Sequence, residues 1–532
     1  VVKERIKIAC FPYNSKRRLP GTSALQDSWS GPHLDGDPGV LPALYIKYLI
    51  LGPFKKLMEK NNLFDFGMIG LGTMGRNLLL NMADHGFKAI GFDKDLQKGK
   101  LLESSATAGT TVKGVDSLET LVQQLQVPRK IMMLVPAGKP VDDVIGSLLP
   151  LLQPGDIIID GGNSHYTDTL RRVNAVREKG FHFMGIGISG GEHGARTGPS
   201  IMPGGDAEAY AKVKPILEAV AAKVDGSSCV AFLGKGAAGH YVKMVHNGIE
   251  YAIMQLISET YQLLHEGKGL SNDELHKVYK SWNEGELQSY LVEITRDIFL
   301  QPDDKTDNRL VDMILDRAGA KGTGKWTSQD SMDIGIPVPV IDIAVSVRDL
   351  SSAKEERMQA SELYKHSKYK IEVPDEVFIQ QLADALYFSM IICYAQGLAL
   401  LHKASAELKM DIPLSEVVRI WRGGCIIRSA LLEIFYGAFR ENPDMPNLLL
   451  DKNIAALISS REQHLRAVIM HTTQTGFPVA GLMTSLCYFE AYRSAKLPTN
   501  LIQAQRDYFG AHTYQRVDMP GIFHTEWGSF DN

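Results

Sequence analysis

Between a short apolar run, Phe64 to Ile69, and a stretch with helical periodicity, Asn77 to His85, the chain reads Gly70-Leu71-Gly72-Thr73-Met74-Gly75. Few folds need glycine at that spacing. The first glycine turns the chain out of a strand, the second lets the backbone approach a pyrophosphate, and the third packs helix on strand. The helix then faces the phosphates with N–H groups that have no partner inside it. A second strand follows at Lys88 to Phe92, and strand signals recur at Ile131 to Val135, Asp156 to Asp160 and Phe181 to Gly187. Such alternation predicts a Rossmann-like, doubly wound α/β domain with a largely parallel sheet and ligands at the C-terminal strand ends. All six residues from Gly70 to Gly75 are candidate dinucleotide contacts.

Asp93 ends the second strand and is followed by Lys94 and Asp95. An acid there accepts from the ribose hydroxyls of NAD and repels the 2′-phosphate of NADP, whereas Lys94 suits a 2′-phosphate. The alternative for these three residues is a solvated loop. Two more glycine-rich loops stand at strand ends, Asp160-Gly-Gly-Asn163-Ser164 and a longer one from Ser189 to Ser200 that includes Gly190, Gly191, Glu192, His193 and Arg196. Glycine this dense lets backbone amides reach a ligand closely.

At 532 residues the chain exceeds what one core serves, so two or three domains are expected. A net charge of -4 gives no reason to expect nucleic acid or an anionic membrane as partner. The five cysteines are scattered with no C-x-x-C pair, which fits a reducing cytoplasm and shows no zinc-ligand or disulfide pattern. No apolar run reaches the roughly 18 residues that span a bilayer. Residues 1–57 contain a stretch rich in Gly, Pro, Ser and charge, Pro12 to Asp37, then a short apolar patch, Leu41 to Leu51, and Met58 reads as a natural start. They are expected to be an extension outside the fold; the rival reading is a targeting segment.

After Gly239 the strand signals fade and long helical patterns take over. Lys243, His246, Asn247 and Glu250 stand at i, i+3, i+4 and i+7 in an otherwise apolar run, on one face of a helix. Burying that many polar groups costs several kcal/mol, roughly, unless each finds a partner, so the face is expected to line a polar ligand's site. Leu264-His265 through Trp282 to Ile294 resembles Leu401-His402 through Trp421 to Ile434, which predicts a duplicated helical unit. Lys321-Gly-Thr323-Gly-Lys325-Trp326-Thr327, Arg348 and the tail from Gln505 to Tyr514 place basic residues among Gly and aromatics, as an anion against an apolar wall requires; for any one of them the alternative is an ordinary surface cation.

From about residue 60 to 530 the chain resembles the 6-phosphogluconate dehydrogenases, decarboxylating enzymes of the pentose phosphate pathway. The resemblance rests on Ser189-Gly-Gly-Glu-x-Gly-Ala-Arg-x-Gly-Pro-Ser200, Lys243-Met-Val-His-Asn-Gly-Ile-Glu250, Lys321-Gly-Thr-Gly-Lys-Trp-Thr327 and Gln505-Arg-Asp-Tyr-Phe-Gly-Ala-His512. It implies Lys243 as general base and Glu250 as general acid. It implies Asn163, Ser189, Gly190, Gly191, His246 and Asn247 around the sugar acid, and Tyr251, Lys321, Thr323 and Arg348 at the phosphate end. Val135, Pro136, Ala137 and again Asn163 fall on the cofactor side. Arg506 and His512 match residues that enter the site from the partner, so a homodimer with shared active sites is implied. The implied organisation is a dinucleotide-binding domain over 58–238, an all-helical domain over 239–498 and a tail over 499–532. No metal is implied.

Three departures from the family stand out. Its Asn-Arg-Thr, which binds the 2′-phosphate of NADP, is Asp93-Lys94-Asp95 here. A Lys in its Leu-Val-Lys-Ala-Gly loop is Pro136, and the second Glu of Gly-Glu-Glu-Gly is His193. The first departure points to NAD where the family uses NADP. The rival functions are a related β-hydroxyacid dehydrogenase with another substrate and a silent cofactor-binding protein.

Overall fold

The computed structural model describes residues 63–365 and 369–528; the expectation for residues 1–57 lies outside them. Strands β1 (Phe66–Ile69), β2 (Ala89–Phe92), β3 (Val112–Val115), β4 (Lys130–Met133), β5 (Ile157–Asp160), β6 (His182–Ser189) and β7 (Ser200–Gly205) form one sheet in the order β3-β2-β1-β4-β5-β6-β7. Six are parallel, and β7 runs antiparallel to β6. β1 and β5 are buried throughout, which is why they read as unbroken apolar runs. The two edge strands are not legible in the sequence. Lys113 and Gly114 break the pattern of β3, and Pro203, tolerable only where no ladder bond is needed on one side, breaks that of β7.

Helices α1 (Thr73–Asp84), α2 (Leu96–Ser104), α3 (Leu118–Gln123), α4 (Lys139–Leu148), α5 (Tyr166–Arg177), α6 (Gly191–Thr197) and α7 (Ala207–Val220) connect the strands. Apolar cores lie on both faces of the sheet. α1 begins a turn earlier than its apolar periodicity suggests, because its first turn is the glycine motif itself. A Cβ on Gly75 would stand 2.0 Å from the Gly70 carbonyl oxygen, so no side chain fits where α1 meets the turn.

The helical half begins with α8 (Ala238–Gln262), buried on nearly every side. It continues through α9 (Asn272–Asn283), α10 (Tyr290–Ile298), α11 (Thr323–Ile334) and α12 (Pro339–Ser352). A matching series follows: α13 (Asp375–Glu407), α14 (Leu414–Trp421), α15 (Leu431–Glu441), α16 (Lys452–Thr475) and α17 (Ala480–Arg493). The duplication extends further than the sequence suggests. α11 and α16 both end on a left-handed glycine, Gly335 and Gly476, followed by Ile-Pro-Val and Phe-Pro-Val. The copies meet at corresponding serines: Ser289 and Ser429 form an antiparallel bridge, with Tyr290 N–H on Arg428 O at 3.1 Å and Ala430 N–H on Gln288 O at 2.9 Å. They also cap each other. Gln396 on α13 accepts from Val340 N–H at the start of α12 (3.1 Å), and Glu259 on α8 accepts from Gly481 and Leu482 N–H at the start of α17 (2.7 and 3.0 Å).

Glu259 provides a test of this cross-capping. Burial pushes its carboxyl up to about 7, against the donors that surround it. A folded value above the ordinary one means stability that is complete below the ordinary carboxyl pKa and is lost as pH rises through about 7. Glu259→Gln, which copies the amide at Gln396, is expected to flatten the pH dependence of urea unfolding, with a relative gain at pH 8 of about 1–3 kcal/mol. An equal loss of stability at pH 5.5 and pH 8 would contradict this.

α13 corrects one expectation. Over an 18-residue window its mean hydropathy is 1.5, long and apolar enough to cross a membrane, yet 94% of that window is buried inside the fold. The helix runs through the core, packed between α8 and α16. At the C-terminus α18 (Thr499–Gly510) folds onto residues 511–528 through Asp507, which accepts from Thr513 and Thr525 N–H, Trp527 Nε1 and His524 Nδ1 at 2.9–3.1 Å. Leu501, Ile502, Tyr508 and Phe509 are left more than half exposed.

Candidate active site

α8 lies so close to the sheet that β6 needs glycine beneath it. A Cβ on Gly187 would stand 2.4 Å from the Cβ of Lys243. That approach seats Lys243 beside the end of β6, where Ser189 begins the long glycine-rich loop. Ser189 Oγ lies 3.2 Å from His246 Nε2, and His246 Nδ1 lies 3.1 Å from Asn247 Oδ1. Asn247 Nδ2 donates to Thr323 Oγ1 at 3.1 Å. Since the amide oxygen only accepts, the network assigns the proton to Nδ1 of His246 and leaves Nε2 to accept from Ser189. Lys243 Nζ stands 3.5 Å from the same Nδ1. A neutral amine can share that N–H through its lone pair; an ammonium cannot.

Lys243, His246 and Asn247 are buried and Glu250 is partly so. Burial lowers the Lys243 pKa against the pull of Glu250 and Cys425. Burial, then the neighbouring Lys243, holds His246 well below the usual imidazole range. Burial raises Glu250 against the opposing pull of Lys243 and Arg348. Desolvation disfavours whichever form is charged, so the cluster tends to a neutral amine beside a protonated acid. An amine and a carboxyl thus share one helix face, with His246 and Glu250 3.8 Å apart.

The expected phosphate-end residues gather one turn further along α8. Arg348 lies over the Tyr251 ring at 3.7 Å, and the Lys321 backbone N–H donates to Tyr251 Oη at 3.4 Å. Thr327 Oγ1 bonds Met244 O at 2.9 Å, which fixes α11 against α8 and sets Thr323 against Asn247. The segment Ser189 to Ser200, expected as a loop, holds the short helix α6. Gly190 and Gly191 at its start have φ of 123° and 63°, and a Cβ on Gly190 would meet Gly424 O at 2.6 Å. Arg506 and His512 are not brought to this cluster. Arg506 bonds Gln503 at 3.2 Å, and His512 meets Phe509 edge-on at 5.8 Å, both on the exposed tail.

On the sheet side, Gly70, Gly72, Asp93, Lys94, Val135 and Pro136 line one cavity of about 370 Å3, together with Phe92, Lys98 and Leu134. Nothing lies within 4 Å of where a Cβ on Gly72 would be, so the cradle is open toward the cavity. α1 starts at Thr73, followed by Met74 and Gly75, without a side-chain cap on its first N–H groups. An uncapped helix start, an open glycine and an acid at the neighbouring strand end fit a dinucleotide. Asp93 accepts from Leu71 N–H (2.8 Å) and Asp95 N–H (3.0 Å) and pairs with Lys98 at 3.3 Å. Burial opposes ionisation of Asp93, but those N–H groups and Lys98 prevail and its carboxyl is lowered. Asp95 turns away and caps α2 through Gln97 N–H. Ala137 and Asn163 are exposed on the two adjoining loops.

Sequence reasoning misses Lys98 and the Gly424 segment. Lys98 carries a readable signal, a cation one turn into the helix after the strand-end acid. Gly424 carries none, because only the packing of the second copy brings it to Gly190.

Residues 65–234 match the model for the NAD binding domain of 6-phosphogluconate dehydrogenase, and residues 239–527 match that for its C-terminal domain. The chain is 51% identical over 464 residues to the NADP(+)-dependent, decarboxylating 6-phosphogluconate dehydrogenase of Bacillus subtilis, covering 87% of this chain and 99% of that one. It is 49% identical over 468 residues to the decarboxylating enzyme of Synechocystis, covering 87% and 97%. Plasmodium falciparum 6-phosphogluconate dehydrogenase, solved in its apo form and in complex with its cofactor NADP+ and its substrate 6-phosphogluconate, superposes with a TM-score of 0.84 at 44% identity, covering 87% of this chain and all of that one. With both halves matched in order and relatives above 30% identity along nearly their full length, this chain belongs to the 6-phosphogluconate dehydrogenase family.

Proposed function

We propose that this protein catalyses the oxidative decarboxylation of 6-phosphogluconate to ribulose 5-phosphate and CO2, with reduction of a nicotinamide dinucleotide, in the pentose phosphate pathway. The observation that carries this reading is the buried amine of Lys243 on the same helix face as the carboxyl of Glu250, beside the end of β6, with burial pushing the amine down and the carboxyl up. Lys243 takes the proton of the C3 hydroxyl. The bound nicotinamide supplies the hydride acceptor. The resulting β-keto acid loses CO2 while protonated Lys243 hydrogen-bonds the ketone oxygen. Glu250 then delivers a proton to the former C2 of the enediol, which becomes C1 of ribulose 5-phosphate, while the enediol oxygen returns its proton to Lys243. Asn163, Ser189, Gly190, Gly191, His246 and Asn247 hold the sugar acid, and Tyr251, Lys321, Thr323 and Arg348 its phosphate. A steady-state assay with 6-phosphogluconate and with gluconate tests this; the expected result is CO2 release from the phosphorylated acid alone. Equal turnover of gluconate would favour a β-hydroxyacid dehydrogenase of other specificity.

Of the relatives named above, that of Bacillus subtilis is NADP-dependent by name and that of Plasmodium falciparum was solved with NADP+. In our reading Asp93 moves this chain toward NAD. We place the enzyme in the cytoplasm, as its scattered cysteines suit.

The exposed apolar face of α18, with Arg506 and His512 beside it, suits insertion into a second subunit, so the active unit is read as a homodimer with shared sites. Mixing subunits of inactive Lys243→Ala with subunits of inactive Arg506→Ala, after reversible dissociation, is expected to restore activity by building one intact site per hybrid. Absence of any recovery in a verified hybrid would argue that each site is built from one chain.

A further inference from the structure

α5 carries two successive arginines with opposite fates. The Arg171 side chain is 56% exposed, whereas that of Arg172 is 1% exposed. A buried guanidinium is costly unless its donors are matched, and here they are. Nε and Nη2 form a fork on Asp142 at 2.8 and 3.1 Å. Nη2 also donates to Gly138 O at 2.9 Å, and Nη1 to Ser164 Oγ at 3.2 Å, with Asp160 at 3.5 Å. Asp160 in turn accepts from Gly162 N–H (3.0 Å) and Ser164 Oγ (2.6 Å).

These partners come from two segments: Gly138 with Asp142 in the first turn of α4, and Asp160 at the end of β5 with Ser164 in the loop that follows. Gly138 closes the loop whose Val135 and Pro136 line the dinucleotide cavity. Gly162 and Ser164 flank Asn163. The loops touch beside the guanidinium, where a Cβ on Gly162 would lie 3.2 Å from Val135 O. α5 is itself fixed to the catalytic half. Thr169 Oγ1 lies 2.7 Å from His240 Nδ1, one turn before Lys243, and Tyr166 Oη donates to Asp330 on α11 at 2.5 Å. We propose that Arg172 is a positioning residue for the nicotinamide end of the cofactor site, its buried guanidinium, anchored on Asp142, holding the Leu134–Gly138 and Asp160–Ser164 loops at one separation and in register with the helix that bears Lys243.

This rests on the functional reading above only for the identity of the reaction. A lysine offers a single point of positive charge and cannot bridge both loops, so Arg172→Lys is the informative variant. Asp142→Asn, at a half-exposed position, weakens the same fork and serves if the arginine variants do not fold. In the cofactor-free protein, amide hydrogen exchange at residues 137–139 and 162–164 is expected to rise in either variant. Titration of reduced cofactor by fluorescence, without substrate, is expected to show binding weakened by about 10- to 100-fold, with the KM for 6-phosphogluconate raised by a clearly smaller factor, since Asn163 is the one proposed substrate contact on these loops. Unchanged exchange in both loops with unchanged cofactor affinity would overturn the proposal, as would an equal rise in both KM values, the mark of a merely structural role. If the unmodified enzyme fails to turn over 6-phosphogluconate, the functional reading falls, while the exchange and fluorescence measurements still decide the role of Arg172.

Discussion

Lys243→Ala is expected to reduce turnover of 6-phosphogluconate below detection, a loss of at least about 10⁴-fold, while cofactor affinity stays within about twofold. General base catalysis alone accounts for roughly 10²–10⁴. In the proposed mechanism Lys243 serves twice, first taking the hydroxyl proton and then hydrogen-bonding the ketone oxygen as CO2 leaves, so the expected effect lies at or beyond the upper end. The cofactor cavity is lined by β1, β2 and the Leu134–Gly138 loop and not by α8, so its affinity is spared. The pH profile checks the same assignment. Burial lowers Lys243, so kcat/KM climbs as the amine loses its proton. Burial raises Glu250, so kcat/KM falls again when that acid ionises. A bell results, its limbs belonging to the coupled pair. Glu250→Gln should remove the descending limb. Substantial turnover by Lys243→Ala, or a profile that Glu250→Gln leaves unchanged, would defeat the mechanism.

The second large effect concerns cofactor choice. The unmodified enzyme is expected to show a higher kcat/KM with NAD than with NADP, and Asp93→Asn to raise kcat/KM for NADP by about 10- to 30-fold. A 2′-phosphate placed near an ionised Asp93 carries between one and two negative charges, and each costs roughly 1 kcal/mol at about 4 Å even in a water-like dielectric. Asp93 is held ionised by Leu71 N–H, Asp95 N–H and Lys98, so it cannot escape the repulsion by taking up a proton. Lys94 and Lys98 line the same cavity and offset part of the effect, which limits it to about that size. Steady-state constants with both cofactors decide the matter. A clear NADP preference, left almost untouched by Asp93→Asn, would show that the lysines outweigh the acid.

Much of the fold is legible in the order of the residues. Short-range patterns announce β1, β2, β4, β5 and β6, because buried parallel strands are unbroken apolar runs bounded by glycine. β3 and β7 lie at the edges, where Lys113, Gly114 and Pro203 are tolerated and the apolar run disappears. The helical duplication shows where Trp282 and Trp421 mark it. It is hidden over α11–α12 and α16–α17, where only backbone geometry and the left-handed Gly335 and Gly476 are shared. The apolar length of α13 escapes notice because Ser389, Tyr394 and Gln396 disguise it, and the neighbours that bury it come from distant parts of the chain.

Neighbours along the chain are enough to specify the glycine turn that opens a dinucleotide cradle, the acid at the end of β2, and four polar side chains on one face of α8. Spacing along a helix or at a strand end is a local property, so these features follow from residue order alone. Their coupling does not. Packing sets Lys243 over Gly187, His246 against Ser189, Asn247 against Thr323, and the guanidinium of Arg172 across two loops, contacts between segments far apart in sequence. The physical reason is desolvation, because an amine or an imidazole keeps its ordinary pKa until distant segments close around it, and no local pattern records which segments those will be.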